Sequence, residues 1–250
     1  MTDSIQQKIV DRLQPVCEGL KVEDVRIGLG YTSVRLSNNS TGLAWTAKDD
    51  SGNCTHLTTA GTLAGESAAS LLEMLLDKRH SLPRTLGVAT ANALVDGLPR
   101  PESTRQDFLD IIDIQAEDNV VMVGFFGPVI PKIKRTGCTF NILELKTDKP
   151  NTVPANQGKG LLASCSVAII TATSIITNTF DELVAGLGKP RAVIVLGPSA
   201  IMCPEIFANT PVTHIGGARV LDTNAVERIV SEGGGTMILK KYLSFETILL

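Results

Sequence analysis

Histidine and cysteine are scarce in this 250-residue chain, and neither occurs in a metal-binding pattern. The three histidines, His56, His80 and His214, show no HxH or HxxxH spacing, so no preformed imidazole site is encoded. The five cysteines, Cys17, Cys54, Cys138, Cys165 and Cys203, are odd in number and contain no CxxC pair. That argues against a zinc site or a disulfide framework, and free, buried thiols in a reducing cytoplasm are expected. No metal is expected in a closed protein site; any metal arrives bound to an organic ligand.

Long apolar runs are missing as well. None reaches the roughly 20 residues that span a bilayer, and the opening MTDSIQQKIVDRLQ carries acids where a signal peptide is basic. A cytoplasmic protein without a membrane partner is expected. The net charge of −3 offers no general nucleic-acid surface. The one basic cluster, Lys132, Lys134 and Arg135, falls at the end of an expected helix, where it complements the helix dipole. Internal repeats and low-complexity tracts are absent. Self-association into a homo-oligomer stays open.

What is present is enough apolar residue, 43%, for one large or two modest cores. Ser4 to Leu20 places Ile5, Ile9, Leu13, Val16 and Leu20 at helical intervals. Val22 to Leu36 alternates as a strand pair around Gly28–Gly30, Leu43 to Thr46 adds a strand, and 48–53 (KDDSGN) is a turn by composition. Helices follow at Glu66 to Leu76 and Arg84 to Val95; the second contains GVATANAL, whose small residues allow close packing. Asp96 to Gln106 carries two prolines and no apolar period, as a linker does. Beyond it strands near 119–125, 139–145, 166–171, 191–196 and 212–215 alternate with helices near 129–136, 178–187 and 222–232. A last strand pair is expected near 236–240 and 244–249. The fold class is therefore α/β, with an α+β domain over 1–100 and a mostly parallel sheet over 101–250.

The stretch from Asn119 to Lys146 has the strand–glycine turn–helix–strand–acid order of a nucleotide-binding unit. Gly124 and Gly127 let a ligand approach the backbone, Phe126 or its neighbour Phe125 can cover a flat ring, and Glu144 can accept from a ribose or diol. The turn is GFFG rather than GxGxxG, however, and Pro128 removes an amide that a phosphate would use. Ligands of parallel sheets bind beyond the carboxyl ends of the strands. The third strand end supplies Thr171, Thr173, Ser174, Thr177, Asn178 and Thr179, with Thr177 or Asn178 also suited to capping the helix that begins FDELV. The fourth ends in Gly197, Pro198 and Ser199, and the fifth in Gly216–Gly217. Ser199 is no nucleophile elbow, because GPSA lacks GxSxG. The glycine turn and the GPS turn are expected to flank the point where strand order reverses.

Four segments carry a family resemblance: TAGTLAG (59–65), GVATANAL (87–94), VGFFGPVIPKI (123–133) and VAIITATSIITNTFDEL with VLGPSAIMCPEIF (167–207). By these the chain resembles the family described as "Putative heavy-metal chelation". The resemblance implies an enolase N-terminal-like α+β domain followed by a Rossmann-like domain, with a pocket between them. It implies a small pterin-, flavin- or siderophore-type ligand, free or as a metal chelate. It assigns Asn92 to the site, with the turns of Gly124 and Gly127 and of Gly197, Pro198 and Ser199. Thr177–Asn178–Thr179 replaces the family's Asn-Gly-Thr, and Ala200 replaces a common threonine, which leaves the substrate open.

Three functions compete. One is an enzyme on such a metabolite in an interdomain cleft, with Glu144 and Glu66 the available acid–base groups. The second is a non-catalytic binder of metal–chelate complexes. The third is an S-adenosylmethionine- or nucleotide-binding transferase. No cofactor is assignable from the residues alone.

Overall fold

The computed structural model describes residues 3–48, 57–144, 152–154 and 158–250. The expected turn at 48–53, apart from Lys48, lies outside the described residues, as do Cys54, His56 and the last expected residue of the second strand, Leu145.

The chain opens with α1 (Ile5–Leu13), capped by the Ser4 hydroxyl, which accepts the Gln7 amide at 3.3 Å. The helix does not run on to Leu20. Pro15 has no amide to continue the α ladder, and the chain tightens into a 3₁₀ turn over Gln14–Cys17. An antiparallel meander follows, β1 (Val22–Ile27), β2 (Tyr31–Leu36) and β3 (Thr41–Trp45), in the spatial order β1-β2-β3. Next come α2 (Ala68–Glu73) and α3 (Ser81–Asp96). α3 packs along β2 and β3, and α2 packs on α3. Small residues make that closeness possible: a Cβ on Gly87 would lie 2.6 Å from the backbone nitrogen of Leu75.

The rest of the chain builds a second sheet. Its elements are α4 (Phe108–Ile112), β4 (Asn119–Val123), α5 (Ile130–Lys134), β5 (Thr139–Glu144), β6 (Thr152–Pro154), α6 (Lys159–Ser164), β7 (Val167–Thr171), α7 (Thr173–Ile176), α8 (Phe180–Ala185), β8 (Ala192–Leu196), β9 (His214–Val220), α9 (Thr223–Ser231), α10 (Thr236–Leu239) and β10 (Leu243–Leu249). The strand order is β10-β9-β8-β7-β4-β5-β6, parallel throughout except for β10. Among the described residues none of its strands pairs with the meander.

The central strands are apolar on both faces because both are covered. Val121, Leu143, Ile170 and Val195 join one cluster with Ile9, Leu72 and Leu94 of the first hundred residues. Val120, Met122, Ile142 and Ile169 join another with Phe108, Ile112 and Ile133. A third cluster packs Val226, Val230 and Leu239 against Tyr31 and Leu43, so α9 and α10 cover the face of the meander opposite α3.

Three expectations are corrected. Residues 236–240 form no strand: Thr236–Leu239 is helix, and β10 pairs with β9 instead. Gly216–Gly217 is not a strand end but lies inside β9, which runs on to Val220. A Cβ at Gly216 would lie 2.7 Å from Leu196 Cδ1, and one at Gly217 2.8 Å from Met202 Cγ, so these glycines admit neighbouring side chains. Neither Thr177 nor Asn178 caps α8; Thr179 holds that position without a side-chain cap bond.

Candidate functional site

Strand order reverses between β4 and β7, because β5 and β6 add to one side of β4 and β7, β8 and β9 to the other. In open α/β sheets this is where a crevice forms beyond the carboxyl ends. The short strand β6 was not foreseen, and it shifts the expected geometry by one place. The partner of the glycine turn across the reversal is the end of β7, not the GPS turn after β8.

Register aligns the site residues in one row. Val123 stands opposite Leu143 on one side and Ile170 on the other, and Thr171 opposite Leu196. Gly124, one residue on, therefore lies between Glu144 and Thr171, and its amide donates to the Leu143 carbonyl at 2.9 Å. Alternation along the strands sets Glu144 and Thr171 on the face of Ile142 and Ile169, the α5 side of the sheet. Gly124 takes φ +91, and a Cβ there would lie 2.9 Å from Thr171 Cβ. Its lack of a side chain serves both the left-handed turn and the approach of Thr171. Phe126 bridges the remaining gap: its Cε1 lies 3.7 Å from where a Cβ on Gly197 would stand. Gly197 itself has φ +124. The half-buried Phe125 and Phe126 also pack on the α5-side cluster.

The hydroxyls after β7 are largely spent on one another and on the backbone. Thr171 Oγ1 and Thr173 Oγ1 are 3.0 Å apart, Ser174 Oγ donates to the Thr171 carbonyl at 2.7 Å, and Thr177 and Thr179 share a bond of 3.0 Å. Asn178 adopts φ +59 and accepts from Gln6 Nε2 at 3.0 Å, so it faces α1 and not the strand-end row. Asp181, in the first turn of α8, receives the Ile5 amide at 3.2 Å from both oxygens.

Asn92 and Ser199 fall at a third place, the joint with the meander. Asn92 Nδ2 donates to the Leu43 carbonyl at 2.8 Å, and the buried Ser199 Oγ accepts the Trp45 amide at 2.8 Å. Glu66 is exposed on the loop before α2, with its carbonyl on the Val22 amide. The structure thus places Gly124, Glu144, Thr171 and Thr173 at the reversal, with Phe126 and Gly127 in the turn after β4; Gly197 and Pro198 stand one strand away, after β8, where Phe126 approaches Gly197. It sends Asn92 and Ser199 to the joint with β3 and Asn178 to α1, and leaves Thr177 bonded within its own turn to Thr173, Ser174 and Thr179.

Two chemistries fit poorly. A pyrophosphate needs free amides at a helix start, whereas α5 has five residues and carries Pro131 in its first turn, after Pro128 in the loop. Lys132 and Lys134 occupy its last turn, and Lys132 pairs with Asp107. A soft metal needs thiolates, but the Cys17, Cys165 and Cys203 thiols are buried and donate to Leu13, Leu162 and Glu205. Burial pushes the Cys17 thiol up to about 11, and burial with the Glu205 carboxylate pushes Cys203 up to about 12. Among the described residues no three His, Cys, Asp or Glu side chains are grouped to hold an ion. Among them, too, no helix is long and apolar enough to cross a membrane.

Comparison with known proteins adds the family. A family model described as "Putative heavy-metal chelation" matches residues 107–249, and a second with the same description matches residues 10–95. An uncharacterized protein of Methanocaldococcus jannaschii is 22% identical over 250 residues, covering 95% of this chain and 93% of that protein. A Pyrococcus horikoshii protein of unknown function has a similar crystal structure, with TM-score 0.86 and 21% identity over 99% of this chain and 100% of that one. A Desulfitobacterium hafniense protein of unknown function follows, with TM-score 0.78 and 17% identity over 98% and 99%. At such identities the two structures establish the shared fold.

Proposed function

The chain belongs to the family described as "Putative heavy-metal chelation", and from that premise we propose that it binds a small hydroxyl-bearing metabolite of pterin, flavin or siderophore type where strand order reverses between β4 and β7. The observation that carries this reading is the single register row in which Gly124 stands between Glu144 and Thr171. A carboxylate, a hydroxyl and a glycine turn there offer complementary contacts to a polar ligand, and Phe126 offers a ring edge beside Gly197. The metal of the family description is cargo in this reading, carried as an organic chelate. Binding without turnover is the simpler form; turnover would have to draw on Glu144, since among the described residues no histidine stands in the row.

The reading treats residues 1–100 and 101–250 as an enolase N-terminal-like and a Rossmann-like domain. The separate meander and the parallel order β6-β5-β4-β7-β8-β9 support it. S-adenosylmethionine or a nucleoside is the second reading, favoured by Glu144 at the end of β5, the place of a ribose-binding acid.

The experiment is a thermal-shift screen of pterins, flavins, S-adenosylmethionine and iron–siderophore complexes, repeated with Glu144→Gln. A ligand at about a hundred times its dissociation constant adds roughly 2.7 kcal/mol of stability. Glu144→Gln is expected to weaken the hit by a factor of tens, since a hydrogen bond to a charged group is worth about 1.5–3 kcal/mol. The melting temperature of the free variant, measured alongside, separates a lost contact to the ligand from a lost contact within the fold. Unchanged affinity in a folded variant would remove Glu144 from the site. Elemental analysis of dialysed protein is expected to give well under one metal per chain; stoichiometric zinc, nickel or iron would overturn the chelate reading.

A further inference from the structure

Away from the strand-end row, β3 and α3 face β9 across a narrow crevice lined by Gly42, Asn92 and Asp96 on one side and Met202 and Arg219 on the other. Its free volume for a water-sized molecule is about 10 Å³. That is about the least space that holds one water, and too small for a metabolite.

Two charged residues, Asp96 and Arg219, meet in walls that are otherwise mostly apolar, with Leu43, Val95, Met202, Ala218 and Val220 among them. Arg219 reaches it from β9 with a side chain only 4% exposed. Its Nε donates to Glu246 Oε2 at 3.1 Å, and Glu246 also accepts from Ser103 at 2.8 Å and Ser244 at 3.0 Å. Arg219 Nη2 is buried and has no hydrogen-bond partner among the described residues. On the opposite wall the Asp96 carboxyl accepts the Thr41 amide. Its pKa is raised, chiefly by burial, against the opposing effects of that bond and the charges of Arg219 and Arg100.

These walls select their occupant. A buried guanidinium N–H without an acceptor is costly, so an acceptor is called for. An anion would be repelled by Asp96 and a cation by Arg219. A neutral molecule that accepts from one wall and donates to the other satisfies both, and the volume restricts it to water. We infer that one buried water is held here, accepting from Arg219 Nη2 and donating to the Asp96 carboxylate. It pins the β3–α3 layer to the seven-stranded sheet and belongs to the fold, independent of any metabolite at the reversal.

The test is direct and needs no variant. A high-resolution crystal structure of the full chain should show a fully occupied water within about 2.7–3.2 Å of both Arg219 Nη2 and an Asp96 oxygen. In solution, the Thr41 amide or the Arg219 guanidinium should show a nuclear Overhauser effect to a long-lived water. The inference is overturned if the crevice is dry, if Nη2 turns onto a protein acceptor, if the water reaches only one wall, or if an ion or larger solute occupies the space.

Discussion

Alanine at Gly42 is expected to destabilise the protein by about 3 kcal/mol, the upper part of the range for overpacking. Gly42 is buried in β3, pressed against the middle of α3. A Cβ there would fall inside the van der Waals envelope of the Ala89 carbonyl oxygen and the Ala93 nitrogen, and 2.8 Å from the Asn92 carbonyl carbon. All three are backbone atoms of a buried helix, so no side chain can rotate away. Relief requires α3 to lift from β3, which would also break the bond from Asn92 to Leu43. Gly160→Ala is the control. It lies in α6 with nothing within 4 Å of the new methyl, and should be neutral or gain up to about 1 kcal/mol from helix propensity. Urea unfolding of both variants checks this. Equal midpoints would mean that α3 and β3 are less tightly joined than the structure shows.

The sheet was legible because its physics is local. Strands covered on both faces must be apolar at every position, so VVMV, VAII and AVIVL stand out as uninterrupted runs. The meander was equally plain from its alternation and from Gly28–Gly30. β6 left no such mark: three residues ending in Pro154 carry neither an apolar run nor a period. Missing it moved the reversal point by one strand, which is why the GPS turn stands beside Phe126 and not beside Gly124. Gly216–Gly217 misled for a related reason. Glycine signals either a turn or a close approach, and only the fold shows Leu196 and Met202 arriving from other segments.

The candidate site divides along the same line. Gly124, Glu144 and Thr171 could be placed because strand-end position follows from strand boundaries. Asn92, Ser199 and Asn178 could be recognised by residue type, but their partners, the Leu43 carbonyl, the Trp45 amide and Gln6, lie in elements distant along the chain. Arg219 and Asp96 gave no sequence signal at all. Each is one charged residue among many until β9 and α3 are brought face to face.

Asp118 is the second such group, and its replacement is expected to cost nearly as much as a methyl at Gly42. It sits at the amino end of the sheet with a side chain 6% exposed. Its two oxygens accept from Arg191 Nε at 3.1 Å and Nη2 at 2.6 Å, from Ser166 Oγ at 2.7 Å and from the Gln115 amide at 2.9 Å. One carboxylate thus joins the loop before β4, the start of β7 and the start of β8. Breaking a buried pair by removing one partner costs about 3–5 kcal/mol. Arg191 is 43% exposed and can recover some hydration, so Asp118→Asn should cost about 2–3 kcal/mol. The hydrogen bonds from Arg191, the Gln115 amide and Ser166 hold the Asp118 carboxyl well below the usual carboxylate range. A depressed folded-state pKa contributes stability that is fully present above the unfolded value, about 3.9, and is lost as pH falls through the folded one. The gap in stability between the natural chain and Asp118→Asn should therefore be constant from pH 7 to about pH 5 and narrow below about pH 4. Urea midpoints measured across that range decide it. A gap that stays constant down to pH 3 would show that the loss comes from misfitted packing and not from the carboxylate's charge.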